Sequence, residues 1–363
     1  MRTFALLGAC ALATCGAPEP RRATTTAAPA VPPDAPAIDA PALEAIVEPA
    51  LAGDNEQWLK GSTHVHARPS GDSTTPVTDV IRWYESNGYD FIVLTDHNKV
   101  TDAAQAPEQG LIVVPGIELT HNPAGCTPKL HDSDQCRIHV NLLGVTGRPE
   151  GKVAWAERKS RDRLAKYDAA LAQQKTLGGL VQLNHPSWFW GMTADLLTEL
   201  ARRGFSLVEI RNIQFETWND GDVDHPSTEA LWDAALLAGV TLWGVASDDA
   251  HHYGGGKWPA GGGWVVVKAA RDPGAILASL SAGRFYSSTG VVLARAELDG
   301  DELVVEVPTT EPGTYSIAWI ENAAPVATIS GRRARRRLPV TGYLRAVVTR
   351  DDGRRAWVQP ARR

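Results

Sequence analysis

Residues 58–98, WLKGSTHVHARPSGDSTTPVTDVIRWYESNGYDFIVLTDHN, hold two short apolar runs with a helical pattern between them. The first run closes on His64-Val65-His66. In an extended strand, residues two apart share a face, so both imidazoles can meet one ion. Asp72 follows six residues after His66 on a Ser-, Gly- and Thr-rich loop. Thr75-Pro76 is a helix start for the period Val80, Ile81, Trp83 and Tyr84, and Asn87-Gly88 is its stop. The second run, Phe91 to Leu94, ends in Thr95-Asp96-His97. Two successive strands therefore carry imidazole and carboxylate at their C-terminal ends, which is how a parallel α/β sheet or barrel presents chemistry.

The same rhythm continues to residue 250. Strands are expected at Trp58–His66, Asp90–Asp96, Leu111–Glu118, Ile138–Leu143, Gly179–His185, Leu207–Ile210 and Leu242–Asp248. The clearest helices are expected at Thr75–Asn87, Val153–Thr176 and Ser227–Leu237. Leu119–Arg137 reads as a loop. Alternation of this kind implies a parallel sheet, closed or nearly closed. After Gly283 the texture changes to alternating apolar and polar residues at Ala294–Leu298, Glu302–Val307, Thr314–Glu321, Val326–Ser330 and Leu344–Thr349. Asp299-Gly300 and Asp352-Gly353 are hairpin signals, so a small all-β module is expected. The Arg-rich run from Arg332 to Arg337 reads as a solvated turn, with anion binding as the alternative.

The length of 363 residues allows one large α/β domain and a smaller module. At the start, Arg2 precedes an apolar segment, Phe4 to Ala13, too short to span a bilayer, which reads as an export signal over residues 1–15. Leu12-Ala13-Thr14-Cys15 is similar to a lipoprotein cleavage box with Cys15 as the lipidated residue. Leu7-Gly8-Ala9-Cys10, a plain secretory signal and an uncleaved tail are the alternatives. Residues 16–55, rich in Ala, Pro and Thr, read as a disordered tether. The expected organisation is a leader (1–15), the tether (16–55), a catalytic domain (56–290) and a β-sandwich-like module (291–363). An exported protein is expected, periplasmic or touching the membrane only through a lipid. The net charge of −6 offers no general attraction to nucleic acid or to anionic lipid.

Further strand ends carry candidate ligands. Glu118 closes Val113-Val114-Pro115-Gly116-Ile117, His139 lies in Ile138-His139-Val140-Asn141-Leu142, and His185 follows Leu180-Val181-Gln182-Leu183-Asn184. Val245-Ala246-Ser247 leads into Asp248-Asp249-Ala250-His251. Any one of these has a structural explanation, but the ends of parallel strands converge on one face. Such a set exceeds what one tetrahedral zinc needs. It suits two or three divalent ions bridged by Glu118 or an Asp, and mixed imidazole and carboxylate fits Zn, Mn or Fe(II).

In order and spacing, these motifs resemble the PHP family (polymerase and histidinol phosphatase). They are His64-x-His66 with Asp72, Thr95-Asp96-His97, Glu118, His139, His185 and Asp249-Ala250-His251, over about residues 58–255. Trp83-Tyr84, Gly88-Tyr89-Asp90-Phe91 and the segment from Gly283 to Gly290 are similar to its branch of carbaryl-hydrolysing enzymes. The resemblance implies a distorted seven-stranded (β/α) barrel. It also implies metal ligation by His64, His66, Asp72, His97, Glu118, His139, His185, Asp249 and His251. Asp72 holds a place that is sometimes His in the family, and Asp248 is the fallback for Asp249. Asp96 is expected to orient His97 or a bound water, with direct ligation as the alternative. The implied chemistry is hydrolysis, with Asp249 or a neighbouring His such as His251 moving the proton.

For the substrate, Arg68, Lys99, Arg137 and Arg211 are the candidate phosphate contacts, and no strong phosphate clamp stands out. Aromatic residues cluster beside the ligands: Trp188-Phe189-Trp190, Trp218, Tyr253 and Trp258. They read as loop packing or as an apolar wall, so Trp188, Arg211 and Tyr253 are carried as substrate contacts. Cys126 and Cys136 are expected to form a disulfide that staples the Leu119–Arg137 loop, with a zinc knuckle including His121 and His131 as the alternative. The leading expectation is a hydrolase acting on a phosphoester, mono- or diester, of a small organic molecule. Carboxylester, carbamate or amide hydrolysis is the alternative within enzymes, and a non-catalytic metal-dependent binding module the alternative outside them.

Overall fold

The computed structural model describes residues 55–102, 110–130, 135–255 and 260–363. The expected leader, Cys15 and the tether up to residue 54 lie outside the described residues, as do His131 and Trp258. The first elements are β1 (Gln57–Val65), α1 (Val77–Ser86), β2 (Phe91–Leu94), β3 (Ile112–His121) and β4 (Ile138–Leu143). Next come α2 (Arg163–Leu177), β5 (Leu180–Leu183), α3 (Ala194–Arg203), β6 (Leu207–Asn212), α4 (Glu216–Asp220), α5 (Thr228–Leu237) and β7 (Trp243–Ser247). Then follow β8 (Trp264–Ala269), α6 (Pro273–Ser281), β9 (Phe285–Ser288), β10 (Arg295–Asp299) and β11 (Glu302–Glu306). The chain ends in β12 (Tyr315–Glu321), β13 (Ala324–Ser330), β14 (Arg333–Arg337), β15 (Leu344–Arg350) and β16 (Arg355–Ala361).

Short polar side chains start the helices. Asp162, Thr193, Ser227 and Asp272 each accept from a backbone N–H three residues on, ahead of α2, α3, α5 and α6. On α1 the apolar period buries Val80, Ile81 and Tyr84 against the sheet. Strands β2 and β4 are buried along their whole length, as strands covered on both faces are. Gly61 of β1 has no alternative, because a Cβ there would stand 2.2 Å from the Phe91 ring.

Among the described residues, thirteen strands form one mixed sheet, in the order β13-β12-β15-β16-β9-β8-β1-β2-β3-β4-β5-β6-β7. From β1 to β7 the neighbours follow chain order. The pairs β1–β2, β2–β3, β5–β6 and β6–β7 are parallel. Strand β4 is antiparallel to both β3 and β5, which corrects the all-parallel expectation. A parallel pair needs a long crossover, whereas the described residues between β3 and β4, 122–130 and 135–137, hold no helix. As a result, β4 begins at the face where β1, β2, β3 and β5 end. At that rim Val65 and Ala250 form a single parallel bridge between β1 and the segment after β7, and His66 N–H donates to the Ala250 carbonyl at 3.0 Å.

Two further expectations are corrected. The helix expected over Val153–Thr176 starts only at Arg163, because the segment before it is tied down as irregular chain. Val153 N–H donates to the Asn98 carbonyl at 2.7 Å, Trp155 Nε1 donates to Asn98 Oδ1 at 2.8 Å, and Asp162 bridges Thr127. The arginine run is a strand rather than a turn. Within β14, Ala334 faces inward while Arg333, Arg335 and Arg337 stand outward beside Glu306, Glu302 and Asp301. Opposite charges across the strands let a polycationic segment pair.

The sheet is continuous across residue 290, since β16 pairs with β9. The separate three-stranded sheet β10-β11-β14 packs over this half, its Leu303, Val305 and Ala334 meeting Ile317, Leu344, Ala346 and Val358. Tyr343 and Trp357 join the core that holds α2, α3 and α5. Arg345, 2% exposed, forks onto both oxygens of Asp233 at 2.8 and 2.7 Å, and Tyr343 Oη donates to Asp233 Oδ1 at 2.6 Å. Among the described residues, no helix is long and apolar enough to cross a membrane. Asp233→Ala leaves the Arg345 guanidinium buried without its main partner, so urea denaturation is expected to read about 3–5 kcal/mol of lost stability.

Candidate metal centre

Strand β1 delivers His64 and His66 to one face, both fully buried. Each ring is fixed through Nδ1: His64 to Glu209 Oε1 at 2.7 Å and His66 to Ser70 Oγ at 3.0 Å. That leaves both Nε2 atoms pointing at Asp249 Oδ1, 3.1 Å from each. None of these three buried atoms has a hydrogen-bond partner. Buried polar atoms are seldom left in this state, and three converging on one point are what a bound cation satisfies. The donors fit divalent ions, being unpartnered imidazole nitrogen beside carboxylate oxygen.

Glu118, at the end of β3, sits in the middle. Its Oε1 lies 2.9 Å from His139 Nδ1, 3.5 Å from His64 Nε2 and 3.8 Å from His185 Nε2. Its Oε2 lies 3.7 Å from His66 Nε2 and contacts His97 Nδ1. Asp72 reaches in from its loop, with Oδ2 2.8 Å from His97 Nε2 and 3.3 Å from His251 Nε2. Among the described residues, three overlapping groups thus have metal-ligand composition: His64, His66 and Glu118; Glu118, His139 and His185; and His66, Asp72, His97 and His251. Glu118, whose two oxygens face different rings, can bridge two ions as a multinuclear centre requires, whereas His66, with only Nε2 free, can serve one group or the other.

The backbone is held to suit these rings. His185 and Asp249 adopt φ of 25° and 47°, in the left-handed region that side chains disfavour. Electrostatics sorts the groups. Burial drives His66 down to about 3, and drives His139 down to about 4 against the pull of Glu118. Both rings are then neutral, the form that ligates a cation. Burial works against ionisation of Glu118 and Asp249 too, but the surrounding imidazoles hold both well below the ordinary carboxylate range. For His97 burial is outweighed by Glu118 and Asp72, which raise it to about 10. Proton and metal compete for such a ring.

All nine residues singled out as ligands therefore meet in one place. Of the paired aspartates, Asp249 faces the cluster, while Asp248 is buried behind it on Ser62 Oγ, Tyr84 Oη and the Gly261 N–H. Burial raises Asp248 to about 6. Asp96 does not orient His97: its carboxylate accepts from Ala67 N–H and Thr101 Oγ1, and His97 Nδ1 instead meets Thr120 Oγ1 at 2.7 Å. Arg211 is drawn away from the cluster by Asp220 and Glu216, at 2.5 and 3.0 Å. Tyr253 does not line the cavity; its hydroxyl donates to the His66 and Ala250 carbonyls. Trp188 does line it, in a cavity of about 670 Å³ with Asn122, Ile213, Gln214, Phe215 and Trp218. Cys126 and Cys136 are disulfide-bonded in the loop leading to β4.

Sequence reasoning missed Glu209. It is fully buried in β6 and accepts from His64 Nδ1, Ser247 Oγ (2.6 Å), the His185 N–H (2.7 Å), Asn212 Nδ2 (3.0 Å) and Gln182 Nε2 (3.3 Å). Its signal was a lone carboxylate inside the apolar strand Leu207-Val208-Glu209-Ile210. By accepting at Nδ1 it fixes the His64 tautomer that leaves Nε2 free for an ion.

No family model matches this chain, and no curated protein matches it. Among solved structures, an amidohydrolase from Chromobacterium violaceum, with bound sulfate and no metal, aligns at 14% identity. The alignment spans 53% of this chain and 88% of that one, with a TM-score of 0.35. A likeness of that size adds nothing to the site assignment, which rests on the side chains above.

Replacing Glu209 by Gln leaves one acceptor oxygen where five donors converge. Metal affinity, read by competition with a chromogenic chelator, is expected to fall by about 10–100-fold, with circular dichroism unchanged. Undiminished affinity would remove Glu209 from the support of the centre.

Proposed function

We propose that the protein is a metal-dependent hydrolase of the PHP type, with a distorted barrel, that cleaves a phosphoester of a small organic molecule. The observation that carries this is the convergence of His64 Nε2, His66 Nε2 and Asp249 Oδ1, unpartnered and buried, beside a Glu118 shared between ligand groups. His64, His66, Glu118 and Asp249 would hold one ion, Glu118, His139 and His185 a second, and Asp72, His97 and His251 a third. Zn, Mn or Fe(II) suits such donors. When bound, the ions supply the positive charge that lowers the pKa of water and polarises the ester oxygen.

The chain's own groups do the rest. Asp249, at the cavity floor, takes the proton from the attacking water and returns it to the leaving oxygen as the ester bond breaks. His251 is fixed through Nδ1 by the Asp249 carbonyl at 2.8 Å and presents Nε2 beside Asp72. Trp188 and Phe215 line one side of the cavity with apolar rings. Carboxylester or carbamate hydrolysis is the second reading. It is favoured by a cavity lining that holds neither Lys nor Arg among the described residues. The disulfide and the apolar leader support export to an oxidising compartment. Acidic net charge supports a small-molecule partner over nucleic acid.

The test is turnover of bis(p-nitrophenyl) phosphate, p-nitrophenyl phosphate and p-nitrophenyl acetate by the full-length chain supplied with Zn, Mn or Fe(II). Phosphoester hydrolysis is expected, abolished in Glu118→Ala/His185→Ala. Cleavage of the acetate alone would transfer the claim to carboxylesters, and no turnover of any of them would leave a binding module.

A further inference from the structure

His139 comes to the cluster on the reversed strand β4, and its ring is held the opposite way round from the rings of β1. His64 and His66 are fixed through Nδ1 and offer Nε2. His139 instead has Nδ1 at Glu118 Oε1, 2.9 Å away, and Nε2 at Asn122 Oδ1, 2.8 Å away. The strand register explains this pose. Thr120 stands opposite His139, with Glu118 two residues before it and Asn122 two residues after it, just past the end of β3. The ring lies across Thr120, so the nitrogen nearer the backbone meets Glu118 and the farther one overshoots to Asn122. Trp188 and His185 stand edge-on to the ring at 5.7 and 4.8 Å. Turning it over about its Cβ–Cγ bond would put carbon where both nitrogens now lie.

A neutral imidazole, the form that ligates, carries one N–H and one lone pair. Two arrangements are then open. In the first, Nδ1 donates to Glu118 and the Asn122 amide turns its NH2 group toward Nε2. The lone pair is spent on Asn122, and the group of Glu118, His139 and His185 keeps only two ligands. In the second, Nε2 donates to Asn122 Oδ1 and the Nδ1 lone pair faces Glu118 Oε1. Two acceptors at 2.9 Å repel, and Oε1 already accepts from Asn184 Nδ2 at 3.0 Å, so this arrangement calls for a cation that both atoms touch. The spacing suits one: nitrogen and oxygen ligands about 2.1 Å from a common ion, at a right angle, lie about 3 Å apart. His185 Nε2, 3.8 Å from the same oxygen, completes the group.

We infer that Asn122 is a positioning residue of the centre: its Oδ1 holds the His139 proton at Nε2, so that Nδ1 is the atom given to the ion shared with Glu118 and His185. Asn122 is exposed at the rim of the cavity, so its replacement opens no void in the core. It acts through the ring it orients. The inference rests on the metal centre and not on ester chemistry, and it holds for a hydrolase and for a binding module alike.

Long-range proton–nitrogen correlation spectra of the full-length protein, labelled with nitrogen-15 in histidine, read which ring nitrogen carries the proton. His139→Gln assigns the signals, and zinc is the probe because it is diamagnetic. The zinc-loaded protein is expected to carry the His139 proton on Nε2. Asn122→Asp, whose carboxylate can only accept, is expected to keep that tautomer and the zinc affinity. Asn122→Leu, of similar size but without an acceptor, is expected to lose about 10–100-fold in affinity for one ion, read by chelator competition. A proton on Nδ1 in the zinc-loaded protein, an undiminished affinity in Asn122→Leu, or an equal loss in both variants would overturn the inference. Failure to take up zinc would overturn the centre along with it, whereas zinc uptake with the proton on Nδ1 would overturn this inference alone.

Discussion

Glu118 is a fully buried carboxylate ringed by imidazoles from β1, β4 and the segments after β2 and β5. A charge taken that far from water is costly unless it is paired and hydrogen-bonded on every side. Here the partners arrive from separate strand ends, so the ladder pairings that bring those ends together also hold the charge in place. The Asn184 Nδ2 donor at 3.0 Å adds a neutral hydrogen bond to the same oxygen that His139 approaches. Remove the sheet order and the carboxylate has no reason to be there; remove the carboxylate and six buried or half-buried imidazoles face one another. Fold and site are coupled through this group.

That coupling explains the reversed strand. A ligand on a parallel β4 would have to come from its C-terminal end, Leu143, which lies at the far side of the sheet. With β4 running backwards, His139 sits opposite Thr120 and one residue from the strand's start, beside Glu118. The Cys126–Cys136 disulfide ties the chain after β3 to the residues just before β4, and the register of β3 on β4 sets the Glu118–His139 distance. Glu209 plays the matching part from below, joining β6 to β1, β5 and β7 through hydrogen bonds to His64, Gln182, the His185 N–H and Ser247.

Much of this was legible in the residues. The His64-x-His66 spacing on an apolar run, and acids or imidazoles at successive run ends, depend on local periodicity, and all seven runs up to residue 250 are strands. What was hidden depends on long-range pairing. Glu209 is recognisable only when Leu207–Asn212 is known to be covered on both faces. Asp96 stands next to His97 in sequence yet turns to Ala67 N–H and Thr101, because adjacent residues of an extended segment point apart. Arg211 has carboxylates on α4 to pair with, five and nine positions on, which charge counting along a strand does not register. The arginines of β14 looked like a turn because their counter-charges lie on β11 and in the hairpin that precedes it.

The central claim is that these imidazoles and carboxylates form one multinuclear metal centre built around Glu118. Elemental analysis of the full-length protein after reconstitution with Zn, Mn and Fe(II), beside Glu118→Gln, tests it most directly. Two or three ions per chain, reduced in the variant, is the predicted result, in keeping with the ligand groups that meet at Glu118. Less than one ion per chain with every metal, or an unchanged content in Glu118→Gln, would contradict it.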